Sequence, residues 1–161
     1  MNKKIQKAIN DQIQAELESA YSYLAMSLLC NDKSLPGSAH WLRSQWQEET
    51  SHAMKFIEHV HSRGGSVSLK SISVDQPKWT NLEGMFRTVL KHEQAITNSI
   101  NKLYELAVSE KDYPLQILLQ WFITEQVEEE GSVQTILDRI ALVGESGASL
   151  LLLDRQLGER A

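Results

Sequence analysis

One spacing occurs twice in this chain and limits what it can fold into. Glu16 is followed 33 positions later by Glu49 and 36 positions later by His52. Glu93 is followed 33 positions later by Gln126 and 36 positions later by Glu129. Each set is one carboxylate, a gap, and then two polar residues at i, i+3. All six interrupt stretches whose apolar residues recur at steps of three and four, the mark of a helix with one buried face. Two helix pairs that each carry a carboxylate on the first helix and a polar i, i+3 pair on the second make a bundle able to hold two metal ions.

The seams place the helices. The first covers about 3–30, with Ile9, Ile13, Glu16, Ala20, Tyr23 and Ser27 on one face. Residues 31–38, with Pro36-Gly37, read as a short turn, so the second helix, about 38–63, returns antiparallel. Its seam is Leu42, Trp46, Glu49, Ala53, Phe56 and Val60, and Gly64-Gly65 stops it. Residues 65–79 lack helical periodicity. Fifteen extended residues reach ~50 Å, enough to cross a bundle whose helices are ~39 Å long, so the second and third helices run parallel. Thr80-x-x-Glu83 reads as a capping box for the third helix. Its seam is Phe86, Leu90, Glu93, Thr97, Ile100, Leu103/Tyr104 and Ala107. Asp112-Tyr113-Pro114 separates it from the fourth helix, with seam Leu115, Leu119, Phe122, Gln126, Glu129, Val133, Ile136, Ile140 and Val143, ended by Gly144. A short fifth helix is expected over about 146–157. Its Leu150–Leu153 run covers several faces, more than one bundle surface can bury, so its leucines are expected to contact neighbouring subunits. The expectation is a single all-α domain over 1–161: a four-helix bundle over 3–143 with one long crossover, plus the fifth helix.

Composition narrows the chemistry. The 161 residues carry a net charge of −5, which argues against a nucleic-acid partner and is compatible with cation uptake. The lone Cys30 excludes a disulfide framework and Cys-rich zinc or iron–sulfur sites. The start MNKKIQKAIN has no apolar h-region, and no apolar run approaches the ~20 residues of a membrane span. A cytoplasmic protein without membrane contact is expected.

Glu16, Glu49, Glu93, Gln126 and Glu129 all point at the core. One such residue would be a polar break in packing; five in register across four helices call for a shared partner, because charged side chains are rarely buried unpaired. Two divalent cations balance the four carboxylates. His52, one turn from Glu49, adds an imidazole, and carboxylates with one imidazole suit iron or manganese. Glu48, Glu125 and Glu128 lie beside this set, each about 100° round its helix, and read either as a solvated acidic face or as a shallower cation site. Tyr23 is within reach of the cluster, as a core tyrosine or as a partner of a ligand. Trp121 reads as packing, and His40, His59, His61 and His92 as surface residues.

At these residues the chain resembles the bacterial non-haem ferritins. The segments NDQIQAELESAYSYLAMS, AHWLRSQWQEETSHA, YELAVSEKDYP and LQWFITEQVEEE carry the resemblance, which spans essentially the whole chain. It implies a ferroxidase centre in each subunit, Fe(II) oxidation by O₂ or H₂O₂, and a homo-oligomeric shell of 24 subunits that stores ferric mineral. By the resemblance, Glu16, Glu49 and His52 bind one iron. Glu49 (bridging), Glu93 and Glu129 bind the other, with Gln126 behind it. Glu48, Glu125 and Glu128, with Glu129 shared, match a third iron site towards the cavity, and Tyr23 matches the tyrosine beside the centre. The haem-binding bacterioferritins carry histidine where Glu129 stands and methionine where Thr50 stands, so no haem is expected. The alternatives to storage are a dimetal oxidase or peroxidase acting on an organic substrate or on peroxide, which would need an apolar pocket beside the ligands, and a bundle that holds no metal.

Overall fold

The computed structural model describes residues 1–74, 77–144 and 146–160; Asp75 and Gln76 of the expected crossover, together with Glu145 and Ala161, lie outside the described residues. Five helices follow one another: α1 (Lys3–Asp32), α2 (Pro36–Ser62), α3 (Leu82–Ser109), α4 (Tyr113–Val143) and α5 (Gly147–Leu157). No strand occurs among the described residues. α1 pairs chiefly with α2, and α3 with α4. The architecture is the expected four-helix bundle with a short fifth helix.

Local chemistry sets the ends. Asn2 caps α1, its side chain accepting from the Lys4 N–H at 2.8 Å. The α1–α2 turn is shorter than expected: Pro36 and Gly37 are helical, with Pro36 in the first position of α2, where its missing N–H costs nothing. The cap of α3 is Asn81, accepting from the Gly84 N–H at 2.8 Å, and not the Thr80–Glu83 box. Both readings place an oxygen near the same free amides, and Asn81 lies one residue nearer. Asp112 caps α4 and also takes a 2.6 Å ion pair from Arg63, tying the end of α2 to the α3–α4 turn. Gly144 ends α4 at φ 68°, a conformation glycine adopts freely.

The crossover is laid along α1 by three amide side chains one turn apart. Gln6 and Asn10 bond Ser66, Asn10 also takes the Ser68 N–H at 2.7 Å, and Gln14 donates to the Ser71 carbonyl at 3.0 Å. The chain thus travels towards the far end of α1 before α3 begins. The cross-links Tyr23–Glu93 and Gln12–Ser99 run in opposite sense along α1 and α3. α3 is therefore antiparallel to α1 and parallel to α2, as the loop length requires.

The apolar core is split in two. One cluster gathers Tyr23, Met26, Leu42, Phe86, Val89, Val133, Ile136 and Ile140 with α5. The other gathers Ile5, Ile9, Ile13, Phe56, Val60, Ile100, Leu119 and Phe122. Along every long helix the gap between the clusters falls at the polar seam residues. Small rotations depart from the expected seams: Trp46, Leu90 and Thr97 are half-buried, Val89 and Ile96 take the inner positions on α3, and Val143 is exposed.

α5 departs further. Its leucines do not all face outward: Leu153 and Leu157 are buried against the chain's own bundle and Leu150 partly so, while Leu151 and Leu152 remain 65% and 58% exposed. Docking depends on Gly37, where an added Cβ would lie 1.6 Å from the Asp154 carbonyl oxygen. It depends also on the buried Asp154 carboxylate, which accepts from the Gly37 N–H at 2.9 Å and from the Ser38 N–H and hydroxyl at 2.7 Å each. These are free amides at the N-terminus of α2, where a carboxylate is favoured. Gly37→Ala is expected to destabilise the docked state by about 1–3 kcal/mol through overpacking, and Asp154→Ala by a similar ~1–3 kcal/mol through unpaired buried donors. Thermal unfolding, with limited proteolysis at 143–147, reads both. Unchanged melting and cleavage in both variants would refute this account of α5 docking.

Candidate metal centre

Between the two apolar clusters lies a polar layer built by all four long helices. α1 contributes Glu16, α2 Glu49 and His52, α3 Glu93, and α4 Gln126 and Glu129; none is more than 5% exposed. Glu16, Glu49, Glu93, Gln126 and Glu129 sit at the seam positions their helices aim inward, and His52, one turn from Glu49 and beside the seam residue Ala53, joins them.

The hydrogen bonds are uneven in an informative way. Glu16 Oε1 accepts from the Gln12 amide at 2.7 Å. Glu93 accepts from the Tyr23 hydroxyl and, at 3.2 Å, from the Gln126 amide. Glu129 Oε2 accepts from the Gln45 amide at 2.8 Å. Glu49, at the centre, accepts nothing. Both of its oxygens are buried without a hydrogen-bond partner, as are Glu16 Oε2, His52 Nδ1 and Gln126 Oε1. His52 Nδ1 stands 3.4 Å from Glu49 Oε2, within ion-pair reach but not aligned as a hydrogen bond. Buried polar atoms are almost always satisfied. Five orphans in one layer, all of them acceptor or ligating atoms, fit a cation and nothing apolar.

Electrostatics agree. Burial pushes the carboxyls of Glu16, Glu49 and Glu93 above their usual range, and brings Glu129 up to about 7. Burial is the largest cause throughout, and the neighbouring carboxylates add repulsion at Glu16, Glu49 and Glu129. Burial and the Glu93 charge also raise Tyr23, which stays a phenol and a donor.

Among the described residues, two groups of ligating atoms close to within 4.8 Å: Glu16 with Glu49 and His52, and His52 with Glu125 and Glu129. The first is the triad expected around one ion. The second joins Glu125 to Glu129, the position expected to be shared with the outer set, but with His52 rather than Glu48 and Glu128. Glu93 lies in the same layer but is turned towards Tyr23 and Gln126, and enters neither group of three. Of the other outer carboxylates, Glu128 is exposed and Glu48 is paired with Arg160 at 2.7 Å. His52 is walled by Trp121 and Phe122 at 5.5 and 5.6 Å between ring centroids, and Phe56 stacks on Phe122 at 4.2 Å.

The seams do not reveal Gln12, Gln45 or Arg160. Gln12 and Gln45 each precede a buried glutamate by four residues, a helical neighbour spacing that the sequence does carry; Arg160 has no such signal. His40 and His61 are exposed, as expected. His59 and His92 are half-buried instead: His59 lies against Arg63, and His92 faces the α1–α3 groove with Ser19 and Ala95.

Residues 6–143 match the ferritin-like domain family. The bacterial non-heme ferritin of Bacteroides fragilis strain 638R is 37% identical over 160 residues, 99% of each chain. That of Campylobacter jejuni is 36% identical over 98% of this chain and 94% of its own. Among solved structures, the open pore ferritin from the hyperthermophilic archaeon Archaeoglobus fulgidus superposes with a TM-score of 0.97 at 40% identity, over 100% of this chain and 99% of that one.

The raised carboxyls make a stability prediction with an unusual sign. Glu129 titrates near 7 in the folded chain, against a reference of 4.5. Between those values the folded state holds a proton that the unfolded chain has lost. Metal-free stability therefore falls as pH rises from about 4.5 to about 7, the reverse of the trend for a salt-bridged carboxylate. Melting in chelator should be lower at about pH 7.5 than at about pH 5, and Zn²⁺ should restore it at the higher value. A metal-free protein that gains stability across this window would contradict the charge assignment.

Proposed function

The chain belongs to the ferritin-like family, and from that premise we propose that it stores iron, oxidising Fe(II) to Fe(III) with O₂ or H₂O₂ at an intra-subunit dinuclear centre and depositing ferric mineral inside a homo-oligomeric shell of 24 subunits. The observation that carries this reading is Glu49: a carboxylate at the centre of a bundle, both oxygens buried and partnerless, facing Glu16 and His52.

In this reading Fe(II) is the substrate. Glu16, Glu49 and His52 receive one ion, and Glu49, Glu93 and Glu129 the other. The protons held by the raised carboxyls leave as the ions arrive, so uptake near neutral pH releases acid. The four carboxylates then balance two divalent charges. Each iron gives up one electron, and the pair together reduces O₂ by two. Oxidation adds two positive charges to the layer. Gln126, an amide where a fifth carboxylate could stand, keeps the layer from holding the ferric product too tightly. Gln45 donates to Glu129, fixing one oxygen and leaving the other to turn towards an ion, while Tyr23 and Gln126 hold one oxygen of Glu93 each, so the longer Gln126 contact is the one an ion would displace. The outer carboxylates Glu48, Glu125 and Glu128, with Glu129 shared, offer departing iron a third position. Residues 1–161 act as one domain, in the cytoplasm; among the described residues no helix is long and apolar enough to cross a membrane.

The test adds Fe(II) in large excess under air and sizes the product. An electron-dense core inside a large particle supports storage; oxidation of two ions per subunit with no core would favour an oxidase without storage. Glu49→Ala is expected to fold, because it removes one of several repelling buried charges. It should slow rapid oxidation by more than about 100-fold, beyond what loss of a ligand's outer partner costs. Wild-type oxidation in this variant would refute the centre.

A further inference from the structure

Three residues beyond α5, the chain folds back onto the bundle. Arg160 places its guanidinium over the Trp41 ring at 4.9 Å, and its backbone carbonyl lies 2.8 Å from His40 Nε2. Its two terminal nitrogens then divide. Nη2 donates to Glu48 Oε2 at 2.7 Å, and Nη1 donates to Gln45 Oε1. Gln45 is fully buried, and its amide nitrogen donates in turn to Glu129 Oε2 at 2.8 Å.

This chain of contacts sets a direction. With a cation on the amide oxygen of Gln45, the amide NH₂ faces Glu129; an amide turned the other way would set carbonyl against carboxylate and NH₂ against guanidinium. Arg160 thereby fixes Gln45, and Gln45 fixes one oxygen of Glu129. At the same time its charge sits on Glu48, a carboxylate otherwise free to meet a cation next to the buried layer. A guanidinium can do both because its donors form a rigid fork.

We propose that Arg160 is a built-in cation of the outer carboxylate site and a positioning residue for Glu129: it occupies Glu48, so that a third metal ion binds there only by displacing it, and through Gln45 it holds Glu129 ready for the inner pair. The proposal rests on the reading of the buried layer as a two-ion centre. It predicts that the outer site of this chain is weak by construction, and that the segment after α5 communicates with the metal layer.

Calorimetric titration of the full assembled protein with Zn²⁺, which is redox-inert, separates the two claims. The wild type is expected to take two ions per subunit tightly and a third weakly. Fewer than two tight ions would sink the two-ion reading itself, independently of Arg160. Arg160→Ala should tighten the third ion by about two- to fivefold, the scale of one freed ion pair. It should also weaken one of the two tight ions by about 10- to 100-fold, the range for losing a ligand's outer partner. Arg160→Lys keeps the charge and loses the fork: the third ion should stay as weak as in the wild type while the tight ion weakens. Glu48→Gln should remove the third ion. Isotherms for Arg160→Ala and Arg160→Lys that match the wild type would overturn the proposal. If Arg160→Ala fails to assemble, the lysine variant decides alone, since only a positioning role weakens the tight ion while charge is conserved.

Discussion

Four carboxyl groups share one buried layer, and most other features of the molecule answer to their mutual repulsion and lost hydration. Desolvating an ionised carboxylate costs several kcal/mol even after relaxation. Here Glu16, Glu49, Glu93 and Glu129 are all buried, and among the described residues no Lys or Arg bonds to any of their oxygens. The layer is held together by what lies above and below it. Each apolar cluster spans all four long helices, so the bundle is clamped at both ends of the unfavourable middle. A metal-free subunit meets the cost by keeping protons; a loaded one meets it with cations.

Around the layer, the neutral donors are placed with economy. Gln12, Tyr23, Gln45 and Gln126 supply hydrogen bonds to Glu16, Glu93 and Glu129, enough to orient each without cancelling its charge. An arginine in any of these places would stabilise the empty protein and compete with the ion. Arg160 comes near the centre but acts on Glu48 and on the far side of Gln45, a step removed from the ligands. The arrangement trades stability for affinity, as functional sites commonly do.

Much of this is legible in the sequence because helical register is a local property. A polar residue at a seam position must point inward whatever its neighbours are, so periodicity alone places Glu16, Glu49, Glu93, Gln126 and Glu129 in the core, and the one-turn step from Glu49 brings His52 beside them. The parallel course of α2 and α3 follows from loop length, again local. What periodicity cannot supply depends on contacts between distant parts of the chain. Gly37 looks like a turn residue in sequence, yet its lack of a side chain is what lets α5, more than a hundred residues away, approach α2. The burial of Leu153 and Leu157 follows from that approach. The partner of Glu48 is likewise set by where α5 ends, and the company Glu125 keeps is set by the rotation of α4 relative to His52. Periodicity gives a residue's face but not the small rotation that decides which neighbour it meets.

The fifth helix then takes on a second meaning. Sequence alone presents it as a surface for oligomeric contact, and Leu151 and Leu152 do face outward. Its inner face is docked by Asp154 on the first turn of α2, the helix that carries Gln45, Glu48, Glu49 and His52. Docking brings Arg160 over Trp41 and onto Gln45 and Glu48. One short helix thus joins an exposed apolar patch to the hydrogen bonds behind a buried carboxyl of the polar layer. The path is physically continuous, from Leu151 and Leu152 through Asp154, Arg160 and Gln45 to Glu129. Continuity alone does not amount to coupling. Coupling requires that α5 have a second, released state, and the contacts such a state would give up are the close approach at Gly37, the Asp154 hydrogen bonds and the Arg160 fork.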